Sequence, residues 1–587
     1  MAKQPHKALV AHVIARTLEQ QGVRYVFGIP GSYILGFYDA VQASPGLEAI
    51  LSKHEQGAAL MADGYAKVGG GLACCAATAG PGATNLITGV ATSYTCSQPV
   101  LVITGQVPTA YFGKGALQEG TGIGRTVDQV GLFERVTKFC RRVTDPADIE
   151  PSLRQAITAA RSDRPGPACL EVPIDILNSQ TPVSAEPQPI DVPVRTSPAP
   201  DIQRVVDALR SAKRPAILAG GGALYDDAAP QVVALAERLA IPVATTLKAK
   251  GIIPEDHPLA LGCAGLFGIS AANAYLTDQC DVLLAIGTSL GEFTSQCFDD
   301  KLTPKTTLIQ LDADPAEMGK NYRVDIALLG SPKANLNLVL EALADDPTDG
   351  RQPPKELAKL KKKYHYFDEA RTRVDSSPIK PAYLMASLRR CLPRDAIVFS
   401  ESVSWTERYL PCYQPRTHIV GTGLAPIGYA GVAAIGGQLA APDRMVVSVA
   451  GDGGFQFNAM EMLTAVNHDV PVKWIVLDNG RFGSIRDAQS FLYKGNHVAC
   501  EFRNPDFVKM AEAFGCRGVR ITDPAGLDDQ LARALALDGP VLIDVVTDPD
   551  SHPPFKPNVM RRTKVWKAPL PDTKAGTKAV FEMLKER

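Results

Sequence analysis

The chain lacks any strong charge bias. Its 61 lysines and arginines stand against 62 aspartates and glutamates, which removes the overall electrostatic pull toward nucleic acid or an anionic membrane. It also lacks a long apolar run: nothing reaches the ~20 residues that a membrane-spanning helix needs. Met1 to Lys7, with a proline and a histidine, resembles no signal peptide, so a cytoplasmic protein is expected. The 12 cysteines are scattered, and although Cys74 and Cys75 adjoin, no C-x-x-C pair or His/Cys cluster has zinc-like spacing. Reduced core thiols are therefore expected over disulfides or a zinc site. What the chain does have is 45% apolar residues over a length of 587, enough to fill several cores and to suggest three or four domains.

Two proline-rich stretches of low hydrophobicity, Ser179 to Pro200 and Ala344 to Glu356, read as linkers. The three segments they separate each alternate apolar strand-like runs with helical patterns, the mark of parallel sheets flanked by helices. The expected fold class is thus α/β, with three doubly wound parallel-sheet domains over 1–180, 195–345 and 370–550 and a tail over 551–587. A weak internal echo runs through it. Gly80-Pro81-Gly82, a helical run and Pro99 to Ile103 parallel Gly451-Asp452-Gly453, a helical run and Pro471 to Val476, which suggests that the first and third domains are related.

The stretch Val446 to Asn479 carries the most chemistry. Val446 to Ala450 and Trp474 to Leu477 are short apolar runs without alternation, as in parallel strands buried on both faces, with a helix between them. Gly451, Asp452, Gly453 and Gly454 allow backbone amides to approach phosphate oxygens at the helix start. The Asp452 carboxylate is a hard oxygen ligand of the kind Mg2+ takes, and Asn479 could add a second oxygen. Each turn alone is more simply an ordinary turn, and Asp478-Asn479-Gly480 would pass for a hairpin corner.

Together, Gly-Asp-Gly, the 25 residues 454 to 478 and then Asn479 resemble the thiamine-diphosphate motif. The likeness extends over most of the chain and is nearest to the acetolactate synthase large-subunit family. It implies an N-terminal pyrimidine-binding domain, a central domain and a C-terminal diphosphate-binding domain. It also implies that Asp452, Asn479 and the backbone carbonyl of Arg481 hold Mg2+, with the cofactor shared between two subunits of a homodimer or homotetramer. The segment Ser52 to Gly70 reads by itself as a helix with Ser52 and Glu55 spaced as a capping box. In the family, however, segments like His54-Glu55-Gln56-Gly57-Ala58-Ala59 carry the glutamate that exchanges a proton with the cofactor's aminopyrimidine, so the resemblance makes Glu55 acid and base.

Other candidates rest on the same likeness. Ile427, in Gly423 to Ala430, aligns with the hydrophobic residue that bends the cofactor, its alternative being an ordinary core isoleucine. Thr78 to Asn85, which includes Gly82, resembles a glycine-rich loop of acetolactate synthases, and no histidine of the decarboxylase kind stands beside it. Gln118 closes a segment resembling one that contacts intermediates. Three departures blur the substrate. Ser32 stands in a Pro30-Gly31-Ser32 sequence similar to benzoylformate decarboxylase, where that serine meets the substrate carboxylate. Ala488 replaces a family tryptophan two residues after the retained Arg486, which could pair with an acceptor carboxylate. Glu401-Ser402-Val403-Ser404 stands where the family reads Gly-Gln-His.

The middle segment bears strand-to-glycine turns at Gly220 to Gly222 and at Gly287, suited to a nucleotide but weak evidence by themselves. FAD-containing relatives share the triple glycine but read Arg-Phe-Asp-Asp-Arg where this chain has Ser289 to Phe293, so FAD stays a doubtful cofactor beside thiamine diphosphate and Mg2+. The tail carries Lys556, Arg561, Arg562, Lys564 and Lys567; a solvated face is the simple reading and an anionic substrate contact the alternative. The expected activity is a carboligase that decarboxylates a 2-oxo acid, pyruvate first among candidates, and transfers the acyl-anion equivalent to a carbonyl acceptor. The alternatives are a non-ligating 2-oxo acid decarboxylase, a 2-hydroxyacyl lyase, or a noncatalytic subunit that keeps the fold; the retention of Glu55 and Asp452 speaks against the last.

Overall fold

The computed structural model describes residues 6–183, 190–304, 306–344, 352–374 and 376–553. The basic tail residues Lys556 to Lys567 lie outside them. Among the described residues no helix is long and apolar enough to cross a membrane.

Three six-stranded sheets, all parallel, organise the chain. Strands such as Ala73–Ala77, Val100–Gln106 and Val282–Ile286 are buried at every position, because helices cover both sheet faces and leave no side for polar alternation. The first sheet takes Tyr25–Ile29, Glu48–Leu51, Ala73–Ala77, Val100–Gln106, Phe139–Arg142 and Ala168–Pro173 in the spatial order 2-1-3-4-6-5. The third sheet repeats that order with Ile397–Ser400, His418–Val420, Val446–Gly451, Lys473–Asp478, Arg517–Ile521 and Val541–Val546. The echo in the sequence therefore marks equivalent places: Gly80 to Gly82 and Gly451 to Gly453 both stand at the carboxyl end of the third strand of their sheet. The middle sheet, which begins at Pro215–Ala219 and ends at Ile326–Leu329, runs 3-2-1-4-5-6 instead, the order of a dinucleotide-binding fold.

Both presumed linkers are shorter than their proline content suggests. Gln180–Val183 forms an antiparallel pair with His6–Leu9, and a helix begins at Ala199 with Pro200 in its first turn, where a missing N–H is harmless. The second linker stretch ends in the helix Lys355–Lys363.

The first and third domains are joined through two helices, Glu55–Gly69 and Tyr429–Ala440. Glycines set the approach. A Cβ on Gly64 would stand 2.1 Å from the Ala433 carbonyl oxygen, and one on Gly436 would stand 1.9 Å from that of Met61. Within this contact Lys67 and Asp63, both fully buried, pair at 2.7 Å. The Tyr429 hydroxyl donates to Asp63 at 2.7 Å and the Ser93 hydroxyl does so at 3.0 Å. Lys67 also donates to the Val420 carbonyl at 3.0 Å. Burial works against the Lys67 charge, but the adjacent Asp63 together with Cys96, Tyr429 and Tyr225 outweighs it and holds the ammonium well above its ordinary range.

Candidate active site

The third domain contributes one half of the candidate site at the carboxyl ends of its strands, where open α/β sheets place their ligands. Val446–Gly451 delivers Asp452 into the first turn of the helix Asp452–Gln456. Asp452 is fully buried and its carboxylate is tightly held. It accepts from the Gly453 N–H at 2.7 Å, from the Asn479 and Gly480 N–H groups at 2.8 and 2.6 Å, and from Asn504 Nδ2 at 2.7 Å. Burial pushes its pKa up, and these hydrogen bonds oppose that shift by favouring the anion.

Asn479 Oδ1 accepts from the Arg481 N–H at 3.2 Å. The segment around Arg481 pairs with Glu501 through bonds at Gly480 and Phe482, which leaves the Arg481 carbonyl outside the pairing. The corner is not a hairpin, because Lys473–Asp478 lies parallel to both of its neighbours. The glycines play distinct parts: beside Gly451 there is open space, a Cβ on Gly453 would stand 2.4 Å from the Phe482 ring, and one on Gly454 would stand 3.1 Å from the Glu401 carboxylate.

Glu401, noted as a departure, organises the neighbouring loop. Its two oxygens accept from the Gly428 N–H at 2.7 Å and the Ala430 N–H at 2.9 Å, pinning the start of helix Tyr429–Ala440. Burial raises its carboxyl to about 7 against those two bonds. Ile427, immediately before this anchor, is 46% exposed, so it is not an ordinary core isoleucine.

The first domain contributes the other half, again at strand carboxyl ends. Glu55 opens helix Glu55–Gly69, but not through the expected capping box. The N-cap is His54, whose Nδ1 accepts the Gln56 N–H at 3.1 Å. The Ser52 N–H is still held by the Gly28 carbonyl at 3.2 Å, and its hydroxyl is buried without a partner among the described residues. Glu461 of the third domain instead accepts the Lys53 and His54 N–H groups at 3.1 Å. Glu55 is thereby free of capping, and its Oε2 accepts from Asn85 Nδ2 at 2.9 Å.

Gly82 lies against Glu55: a Cβ there would stand 3.3 Å from Oε1. Ser32 is exposed, one residue before the Tyr33 N–H that donates to Thr78 Oγ1 at 3.3 Å. Gln118 holds a left-handed backbone at φ 63°, and its Cβ sits 3.0 Å from where a Cβ on Gly80 would be. Glu119 secures that loop by accepting from the Gly113, Gly115 and Ala116 N–H groups and from Thr121 Oγ1 at 2.5 to 3.1 Å. Glu55, Gly82, Ser32 and Gln118 thus gather at one edge of the first sheet.

Within one chain no hydrogen bond or ion pair among the described residues links Glu55 to Asp452, although Glu461 of the third domain reaches Lys53 and His54 beside Glu55. The Tyr429 hydroxyl, two residues beyond Ile427, touches Asp63 and Lys67, two to three turns or roughly 12–18 Å along the helix from Glu55. Arg486 donates Nε to Glu501 at 2.8 Å, so its first partner is an internal carboxylate. It shares with Ala488 the helix Gly483–Leu492, none of whose residues is buried in this chain. Sequence reasoning missed Asn504, Asn85 and Glu461. Asn85 closes the glycine-rich loop and Glu461 lies within the Val446 to Asn479 stretch, but each of the three acts on a partner far along the chain, which no local pattern announces.

The middle sheet opens onto a cavity of about 690 Å³ whose wall includes Gly221, Gly222, Lys248, Gly287, Thr288 and Asp312. Burial raises Asp312 to about 6. Ser289, Gly291, Glu292 and Phe293 also line it.

Known families account for all three domains. Residues 9–130 match the N-terminal TPP binding domain of thiamine pyrophosphate enzymes, 202–343 the central domain and 400–545 the C-terminal TPP binding domain. The probable acetolactate synthase large subunit of Methanocaldococcus jannaschii is 36% identical over 582 residues, covering 94% of each chain. The acetolactate synthase large subunit of Corynebacterium glutamicum is 34% identical over 93% of this chain and 88% of its own length. The isozyme 3 large subunit of Escherichia coli is 34% identical over 92% and 95%. Shared domains, shared sheet order at the two half-sites and end-to-end similarity lead to one conclusion: the chain belongs to the thiamine-pyrophosphate-dependent enzymes, in the family of the acetolactate synthase large subunits.

Proposed function

We propose that the protein is a Mg2+-dependent carboligase that decarboxylates a 2-oxo acid, with pyruvate the leading donor, and transfers the acyl-anion equivalent to a carbonyl acceptor. The supporting observation is a pair of carboxylates, Glu55 held by Asn85 and Asp452 buried in a cradle of N–H donors, each at the carboxyl edge of a sheet of the same strand order. The residues present fit the implied metal and cofactor. Asp452, the Asn479 side chain and the Arg481 carbonyl form an all-oxygen donor set suited to Mg2+, and the open space beside Gly451 leaves backbone exposed to a diphosphate. Bound there, thiamine diphosphate supplies the electron sink that carboxyl loss requires.

The chain's own residues do the rest. Glu55 exchanges a proton with the aminopyrimidine ring nitrogen, and Asn85 keeps its carboxyl aimed. Ile427, fixed from behind by Glu401 through Gly428, supports the bent cofactor. Gln118, against Gly80, and the exposed Ser32 are the residues we assign to contact with the donor acid. A second copy of the chain brings Asp452 to Glu55, and the exposed apolar residues near both halves, among them Leu117, Ile123, Ile427, Phe457 and Ile485, are the surface it covers. On this reading the domains run over 1–180, 195–345 and 370–550. The middle cavity is suited to a dinucleotide, but Ser289 to Phe293 supply no arginine to it, which weighs against FAD.

A non-ligating decarboxylase or 2-hydroxyacyl lyase is the second reading, favoured by Ser32 and by the smaller Ala488. Product analysis with pyruvate and a second 2-oxo acid separates them. A coupled 2-hydroxy-3-oxo acid supports the carboligase; free aldehyde with no coupled product excludes it.

A further inference from the structure

A second cavity, of about 530 Å³, lies between the middle and third domains, where the turn Glu369–Arg371, the helix Pro381–Cys391, the helix Val403–Tyr409 and Ser551–His552 come together. That volume is within the range of small-molecule sites. Trp405, Arg408 and Tyr409 line it from one helix at positions i, i+3 and i+4, hence from one face. The two rings lie 6.0 Å apart and tilted by 31°.

The charge balance of this wall is unusual. Arg408 is half-buried, and among the described residues its guanidinium has no hydrogen-bond or ion-pair partner. Its neighbour Glu407 is pushed by burial to about 8 and so offers little negative charge near neutrality. Arg371 meets a ring nitrogen, His365 Nε2 at 2.6 Å, and no carboxylate among the described residues. The nearby carboxylates are drawn elsewhere: Asp368 to His365 at 3.4 Å and Glu369 to Arg390 at 2.9 Å. Lys380 is neutralised by Asp548. Two guanidiniums beside a tilted aromatic pair are thus left without anions, and a desolvated guanidinium is a strong and geometrically selective partner for phosphate.

We propose that this cavity binds a phosphorylated purine nucleotide, with Arg408 and Arg371 taking the phosphate oxygens and Trp405 the base. The volume exceeds what a single-ring carboxylate needs, and two uncompensated cations suit a phosphate group better than a monoanion. The chain's own C-terminal stretch has the wrong sign to occupy the site, since 554–587 carries nine lysines and arginines against three aspartates and glutamates. The cavity adjoins the candidate active site, because His552 on its wall pairs through Nδ1 with Asp487 at 2.6 Å, and Asp487 is carried by the helix that holds Arg486 and Ala488. A nucleotide here is either a free effector or the handle of a larger substrate.

The test is equilibrium binding of ADP to the full-length protein, read by tryptophan fluorescence, and it is independent of the proposed reaction because no turnover is needed. The chain has three tryptophans, of which Trp474 is buried in the core. Trp405 does not line the middle cavity, so the difference between wild type and Trp405→Phe isolates this site. The expected result is an ADP-dependent change that Trp405→Phe abolishes, that Arg408→Gln weakens at least ~10-fold with an unchanged melting temperature, and that Arg408→Lys partly restores. Inorganic phosphate should compete weakly. ADP that alters kcat without being consumed marks an effector; ADP that only competes with an acyl thioester bearing an adenine nucleotide marks a substrate handle. No ADP-dependent change at Trp405, or wild-type affinity in a folded Arg408→Gln protein, overturns the proposal.

Discussion

At the scale of single residues, the groups proposed to hold the cofactor are distinct from the one proposed to move protons. Asn504 donates Nδ2 to both Asp452 and Asp478, at 2.7 and 2.6 Å, so it orients the carboxylate proposed to hold Mg2+. Asn504→Ala should weaken Mg2+ and cofactor retention ~10–100-fold, read by calorimetric titration; unchanged affinity would remove Asn504 from the cradle. Glu55→Gln should retain cofactor but slow hydrogen exchange at the thiazolium carbon by ~10²–10⁴-fold, measurable by NMR in deuterium oxide. Glu407 makes a prediction about pH. Burial raises its carboxyl from an ordinary 4.5 to about 8, against the pull of Lys250 and Arg408. The folded state therefore binds this proton more tightly than the unfolded chain, and the resulting stability is whole below about 4.5 and lost as pH rises through about 8. Glu407→Gln should flatten the decline of melting temperature across that window. A slope as steep as that of the wild type would contradict the assignment.

At the scale of elements, the contact between helices Glu55–Gly69 and Tyr429–Ala440 locks the first domain to the third. Its buried Asp63–Lys67 pair should behave as such pairs do: Asp63→Ala strands the ammonium and should destabilise the protein by ~3–5 kcal/mol, whereas replacing Asp63 and Lys67 together with apolar residues should recover most of that loss. Equilibrium denaturation of the three proteins decides it, and a single mutant as stable as the wild type would exclude the locking role. The elements also show where sequence reading works. Fully apolar runs such as Val446 to Ala450 announce parallel strands because both faces are buried, and the strand ends were legible to within a residue or so. The start at Glu55 was misread as a capping box because the Lys53 and His54 donors are satisfied by Glu461, some four hundred residues away. Proline content likewise overstated the linkers, since Pro182 sits in an edge strand and Pro200 in a first helical turn, places where proline is tolerated.

At the scale of the whole molecule, the sequence points to two candidate half-sites but not to how they come together. Local motifs point to Glu55 and Asp452, while the packing of their two domains depends on how two helices cross, set by contacts such as Gly64 on Ala433 and Tyr429 on Asp63. On the proposed function a working site takes Glu55 from one copy and Asp452 from another. Mixing two inactive variants, Glu55→Gln and Asp452→Ala, by co-refolding or co-expression tests it most directly. Hybrid dimers would carry one doubly impaired site and one intact site, so the account predicts recovery of about a quarter of wild-type turnover. If the mixed chains associate and activity stays at the level of the separate variants, the site does not lie between two copies and the account is wrong.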